Sequence, residues 1–154
     1  MMRLMAPADL DNVVRHRVYA ALANAEPAPG PGALALALRV DVAEVQAALE
    51  RLHAAHALVL CKRTRDVRMA LPFANRPTSY RVESQGRAWD ANCAWDALAI
   101  VRLLKLRDAR ILDHGGPRRS GRRLIVVDGR LVQRDGVISF PRPAWRWWDD
   151  IVFT

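Results

Sequence analysis

The run Asp90-Ala91-Asn92-Cys93-Ala94-Trp95-Asp96 sets a thiol and a carboxyl group three residues apart, where a β-favouring stretch gives way to a helical one. If Asn92 or Asp90 caps that helix, Cys93 falls in its first turn, where unpaired amide N–H groups and the positive end of the helix dipole stabilise a thiolate. Asp96 then lies on the same face, one turn on. A nucleophilic or metal-binding thiolate beside a carboxyl group that can hold or deliver a proton is a workable reaction centre. The same spacing also suits a packing cysteine beside an aspartate that merely favours the dipole, so spacing alone leaves both readings open.

The other residue types with chemical potential are weaker candidates. Cys61, the second of two cysteines, ends the apolar run Ala57 to Leu60 and reads as a small packing residue on a buried strand. His53 and His56 precede it at three residues' spacing, but no fourth ligand at zinc-site spacing follows, so they read as histidines near a helix C-terminus. His114 reads as a loop residue, and Arg118, Arg119, Arg122 and Arg123 as a solvated basic loop able to hold an anion. Lys62, Arg63, Arg65 and Arg68 form a basic turn that can touch phosphate. Trp145, Trp147 and Trp148 read as packing against a sheet, with ligand stacking as the alternative. No Ser-His-Asp order, phosphate loop or dinucleotide fingerprint is present, which leaves hydrolase, kinase and Rossmann oxidoreductase readings unsupported.

The elements that must position these groups can be read from periodicity. Leu10, Val13, Val14, Val18, Ala21 and Leu22 recur at helical steps, so a first helix is expected from Pro7 to about Asn24, capped by Asp9 or Asp11. Glu26 to Gly32 is a Pro/Gly loop, and Ala33 to Arg39 a short second helix. Asp41 with Glu44 is a capping-box pattern that opens a third helix with the stripe Val42, Val45, Ala48, Leu49 and Leu52. Two short strands, Ala57 to Cys61 and Val67 to Leu71, then flank the basic turn. Three helices and a hairpin are the order of a winged helix-turn-helix. The third helix exposes Asp41, Glu44 and Glu50 against Gln46 and Arg51, however, a face that disfavours DNA. Beyond Pro72 and Pro77, strands are expected from Thr78 to Val82 and from Arg87 to Trp89, then the main helix from Asn92 to Leu106. A strand at Ile111 and Leu112, a Gly/Pro loop from Gly115 to Gly121, and a meander of Leu124 to Val127, Leu131 to Val132 and Val137 to Phe140, turning at Asp128 and Gly129, complete the chain. The fold class expected is α+β: a winged-helix-like three-helix region with a β-hairpin over residues 1–72, then a small mixed or antiparallel sheet domain with one main helix over 73–154.

Composition sets the outer bounds. With 154 residues, 51% hydrophobic and 26% charged, the chain has the make-up of a globular protein with a real core. Its longest apolar runs fall far short of a membrane span, and its start lacks the pattern of a secretory signal, so a cytoplasmic protein with free thiols is expected. The net charge of +8 arises almost wholly from arginine; the bias matches an Arg- and Ala-rich coding background and is weak support for nucleic acid. A homodimer is left open.

The segment from Pro77 to Leu98, PTSYRVESQGRAWDANCAWDAL, resembles the core of the alkylmercury (organomercurial) lyases, which carry a Pro-Thr, a strand, a turn and then Cys-Ala-x-Asp at a helix start. The end, Trp147 to Thr154, is similar to the segment that precedes that family's second functional cysteine, and the family also carries a winged-helix-like N-terminal region. The resemblance implies Cys93 as a mercury-binding thiolate and Asp96 as the proton carrier in protonolytic cleavage of a carbon–mercury bond. It also implies an organomercurial substrate, Hg(II) or another soft metal as product or ligand with no cofactor required, and cellular thiols as acceptors. As given, the sequence stops just before the position of the second cysteine, so either it is cut short there or it is an atypical member without that thiol. Two other readings are carried forward: a winged-helix transcriptional regulator that senses a metal or ligand through Cys93 and contacts DNA through Lys62, Arg63, Arg65 and Arg68, and a family homologue redirected to other chemistry in a biosynthetic pathway.

Overall fold

The computed structural model describes residues 6–115, 121–133 and 135–151. The chain divides into two units, Met1–Leu71 and Pro72–Thr154.

In the first unit, α1 (Pro7–Ala23), α2 (Pro31–Leu38) and α3 (Val42–Ala54) precede a two-stranded hairpin, β1 (Val59–Leu60) and β2 (Val67–Ala70). Burying Leu10, Val14, Val18 and Leu22 of α1 against Val45, Ala48, Leu49 and Leu52 of α3 removes one apolar stripe from each helix from water, the usual driving force for such a pair. Tyr19 ties this core to the chain that follows, its hydroxyl donating to the carbonyls of Ala57 and Leu71. Two expectations need correction here. No side chain caps α1, whose N-cap is Ala6 with Pro7 at the first helical position, where the missing N–H costs nothing. The same effect starts α2 at Pro31, inside the segment expected to be loop.

The second unit is built on an antiparallel sheet. Among the described residues its strands are β3 (Phe73–Ala74), β4 (Tyr80–Ser84), β5 (Arg87–Ala91), β6 (Ala109–Asp113), β7 (Arg122–Val127) and β8 (Arg130–Leu131), in the spatial order β3-β5-β4-β6-β7-β8. The β4–β5 hairpin turns through Gln85 and Gly86 and the β7–β8 hairpin through Asp128 and Gly129, all four at positive φ, as tight two-residue hairpin turns require. One helix, α4 (Ala94–Leu103), packs its buried Ala97, Ile100 and Val101 on β4, β5 and β6, whose inward residues include Val82, Trp89 and Ile111. The α+β class is as expected, with helices first and an antiparallel sheet after.

The meander departs from expectation at its end. Residues 137–140 form no strand. Gly136, Pro141 and Pro143 bracket them, neither proline can donate to a ladder, and the chain passes instead into a short 3-10 helix, Ala144–Asp149. Phe73 and Ala74 pair with Ala91 and Asp90 in a strand that the prolines on either side had hidden. The loop from Gly115 to Gly121 lies largely outside the described residues, as do Arg118, Arg119 and the last three residues. No described helix is long and apolar enough to cross a membrane.

Candidate functional site

The joint between β5 and α4 is fixed from three sides. Ala91, the last residue of β5, pairs with Tyr80 on one neighbour and Phe73 on the other, and its carbonyl accepts from the Thr78 hydroxyl at 2.5 Å. Two residues later the chain turns into α4, and the cap is neither Asn92 nor Asp90. Cys93 itself is the N-cap, with extended backbone (φ −148°, ψ 178°), and its sulfur accepts from the backbone N–H of Asp96 at 3.5 Å. Thiol and carboxyl are thus closer partners than first-turn placement of both would make them: the Cys93 S–H donates to Asp96 Oδ2 at 3.4 Å.

Burial governs the electrostatics of this pair. Cys93 and Asp96 are both half-buried. Loss of water pushes the Cys93 thiol up to about 11, and the Asp96 carboxylate adds to this, while the amide N–H groups of Asp96 and Trp95 pull it down. Burial also raises Asp96, and the hydrogen bond from Cys93 opposes that. The expectation of a stabilised thiolate is therefore corrected for the resting protein: the helix terminus does favour the anion, but desolvation and an adjacent carboxylate outweigh it. The sulfur keeps its proton and shares it with Asp96.

Sequence reasoning missed the surroundings of the pair. Asn92 donates from its side-chain amide to the carbonyl of Ile151 at 2.9 Å, across 59 residues of chain. On the other side of Cys93, the Trp95 ring meets Phe140 edge-on with centroids 6.3 Å apart, and Phe140 lies 4.9 Å from Trp147. The Trp147 indole N–H is anchored on the Arg142 carbonyl at 2.9 Å. Residues 140–151 are therefore held to the start of α4 at positions 92 and 95, on either side of the thiol. The tryptophan-rich end of the sequence was the available signal; its contact with α4 has no local signature. Trp145 is exposed and packs on no sheet.

Of the remaining candidates, Arg122 and Arg123 are exposed residues of strand β7 rather than of the basic loop expected for them, His114 directly follows β6, and the others lie in the first unit. Cys61 is buried at the end of the hairpin's first strand. His53 sets Nδ1 3.3 Å from the Leu58 carbonyl, a local contact at the end of α3. Among the described residues, no three His, Cys, Asp or Glu side chains gather as metal ligands. Of the basic turn, Lys62 and Arg63 are exposed and Arg68 half-buried, while Arg65 makes a two-pronged pair with Glu50 of α3, its Nε donating at 2.7 Å. Arg51 is similarly held by Asp11 of α1, at 2.6 Å. The exposed cations that would face phosphate from α3 and Arg65 are thus paired with carboxylates.

A half-buried thiol sharing its proton with a carboxyl group at the mouth of a strand–helix joint, on a small antiparallel α+β unit, defines a protein able to take a soft electrophile and handle one proton. The family profile described as alkylmercury lyase matches residues 73–154, more than half of the chain and all of the segment that builds this joint. The chain belongs to the alkylmercury lyase family. Its fold is similar to that in the crystal structure of the mercury-bound form of MerB2, with a TM-score of 0.60 over 80% of this chain at 18% identity. The chain spans 58% of the length of that structure. No curated protein gives a significant match.

Proposed function

We propose that this protein cleaves carbon–mercury bonds by protonolysis, with Cys93 as the mercury ligand and Asp96 as the proton carrier. The observation that carries this reading is the 3.4 Å hydrogen bond between Cys93 Sγ and Asp96 Oδ2, within the segment that matches the family. A mercury-bound structure among the proteins of similar fold supports mercury as the metal.

In the proposed reaction the Cys93–Asp96 contact is used twice. An organomercury thiolate approaches the protonated sulfur; as the mercury–sulfur bond forms, the thiol becomes acidic, its proton crosses to Asp96, and the incoming thiolate leaves. Soft sulfur and soft mercury favour that exchange. Asp96, now a carboxylic acid in a site where burial favours its neutral form, gives the proton to the carbon as the carbon–mercury bond breaks, and the hydrocarbon departs. Asp96 is again a carboxylate, and Hg(II) stays on Cys93. A further thiolate completes the coordination of Hg(II), and a cellular thiol then displaces Cys93 from the mercury and hands its own proton to the departing sulfur. The proton that left with the hydrocarbon is thereby restored to Cys93 by the cellular thiol, and one sulfur–carboxyl contact serves both transfers.

The test is Asp96→Asn exposed to phenylmercury in excess thiol and read by intact mass. We expect an adduct that retains the phenyl group, located on Cys93 by peptide mapping, where the parent accumulates only Hg(II). An Asp96→Asn protein that loses the phenyl group as fast as the parent would overturn the role of Asp96.

A further inference from the structure

Between the sheet and α4 the chain has little freedom. β5 ends at the buried Ala91 and α4 begins at Ala94, so only Asn92 and Cys93 lie between them. Peptide planes are rigid, which leaves the φ and ψ of these two residues, together with ψ of Ala91, to aim the Cys93 side chain. The Ala91 carbonyl fixes that last angle, and on a buried residue it needs a partner. It accepts from the half-buried Thr78 hydroxyl at 2.5 Å, and the same hydroxyl accepts from the Tyr80 backbone N–H at 3.1 Å. Of the two carbonyls within reach of this hydroxyl, that of Ala91 is nearer than that of Tyr80, at 2.9 Å, and is the one across the strand pair. Tyr80 and Ala91 face each other in the β4–β5 register, so Thr78 reinforces the last rung of the ladder where the chain leaves the sheet. Thr78 is itself on a held segment: the carbonyl of the next residue, Ser79, accepts from the His114 N–H at 2.8 Å, and Tyr80 pairs with Asp113 of β6.

Resting on the lyase reading above, we infer that Thr78 is a positioning residue for the reaction: by holding the Ala91 carbonyl, its hydroxyl places Cys93 at the cap of α4 with the sulfur against Asp96. It acts through the backbone, two residues before the thiol. Released from Thr78, the Ala91 peptide can turn about ψ while Ala97, Ile100 and Val101 still hold α4 on the sheet. Asp96 then stays with the helix and Cys93 moves with the end of the strand, which separates the two groups that the 3.4 Å contact joins.

The experiment is a double-mutant cycle between positions 78 and 96, read by the rate at which iodoacetamide labels Cys93 at pH 8, the site being assigned by peptide mapping. In otherwise wild-type protein Asp96→Asn is expected to speed labelling about tenfold, the scale of one unit charge removed from a few ångströms away; on the Thr78→Val background, isosteric but without the hydroxyl, the same change should give less than about threefold. Thr78→Ala removes the same hydroxyl and is run beside it, so that one poorly folded variant does not decide the result. Thr78→Ser keeps the hydroxyl and should restore both the full effect of Asp96→Asn and the release of benzene from phenylmercury, whose kcat Thr78→Val is expected to lower by up to about a hundredfold, the cost of an ångström's misplacement. Thr78→Val and Thr78→Ala proteins that are less stable but keep the full effect of Asp96→Asn would overturn the inference, and so would a Thr78→Ser protein that behaves like Thr78→Val. An effect of Asp96→Asn that depends on the Thr78 hydroxyl, in a wild-type protein that releases no hydrocarbon, would overturn the lyase reading and leave Thr78 standing as the residue that positions the pair.

Discussion

Two helices of this protein begin with the same device and put it to opposite uses. At α3, Asp41 is the N-cap and Glu44, three residues on, accepts from the Asp41 backbone N–H at 3.0 Å. At α4, Cys93 is the N-cap and Asp96, three residues on, accepts from the cap's own side chain. Both satisfy backbone donors that a helix start leaves open. Asp41 and Glu44 are exposed, so water screens their charges and the box contributes only to helix stability. Cys93 and Asp96 are half-buried, so the same spacing becomes a proton shared between two groups whose charged forms are disfavoured. Burial, rather than the i, i+3 pattern, separates an exposed structural cap from the cap proposed to react.

The sharpest way to break this contrast is to remove the carboxyl from one cap and then from the other. Asp96→Asn is expected to slow hydrocarbon release by about 10²- to 10⁴-fold, the usual contribution of a positioned proton donor, while Glu44→Gln leaves release unchanged. Next in size is the reactivity of the resting thiol. With Cys93 at about 11, its labelling by iodoacetamide at pH 8 should run about a hundredfold below that of an ordinary thiol and rise to a midpoint near pH 11. Asp96→Asn, which removes the neighbouring negative charge, should lower that midpoint. Labelling of wild type that levels off at or below pH 8.5 would sink the account of desolvation.

Stability against pH follows from the same shift. Cys93 holds its proton more tightly folded than unfolded, so between the unfolded value, about 8.5, and about 11 the native state binds more protons, and stability must fall as pH rises through that window. Denaturant midpoints of Cys93→Ala against wild type check it: the mutant should lose less stability between pH 8 and 11. Asp41→Ala gives a smaller effect, a loss of about 1 kcal/mol in chemical denaturation with hydrocarbon release unaltered. Asn92→Ala should cost a similar amount, the worth of one hydrogen bond, but unlike Asp41→Ala it should also alter release, because residues 140–151 lose one of their two attachments beside Cys93.

What the sequence disclosed follows the range of the forces involved. The stripes of α1 and α3, the Asp41–Glu44 box and the Asp128–Gly129 turn are local patterns, and each stood where the periodicity and turn chemistry placed it. The Cys-Ala-Trp-Asp block was legible as a candidate for the same reason. Two properties of the site were not. The protonation state of Cys93 depends on how much water the fold removes, which spacing does not encode; from spacing alone the helix dipole suggested a thiolate. The clasp from Asn92 to Ile151 and the meeting of Trp95 with Phe140 join residues more than forty positions apart, and Val137 to Phe140, read by local propensity as a strand, instead passes Phe140 to α4 between prolines.

The central claim, that one sulfur and one carboxyl group cleave a carbon–mercury bond together, is tested most directly by headspace detection of benzene released from phenylmercury in excess thiol, comparing wild type with Cys93→Ser and Asp96→Ala. The account predicts release above the thiol-only blank by wild type and none by either variant. Wild-type release no greater than the blank, or release that survives either substitution, would contradict it.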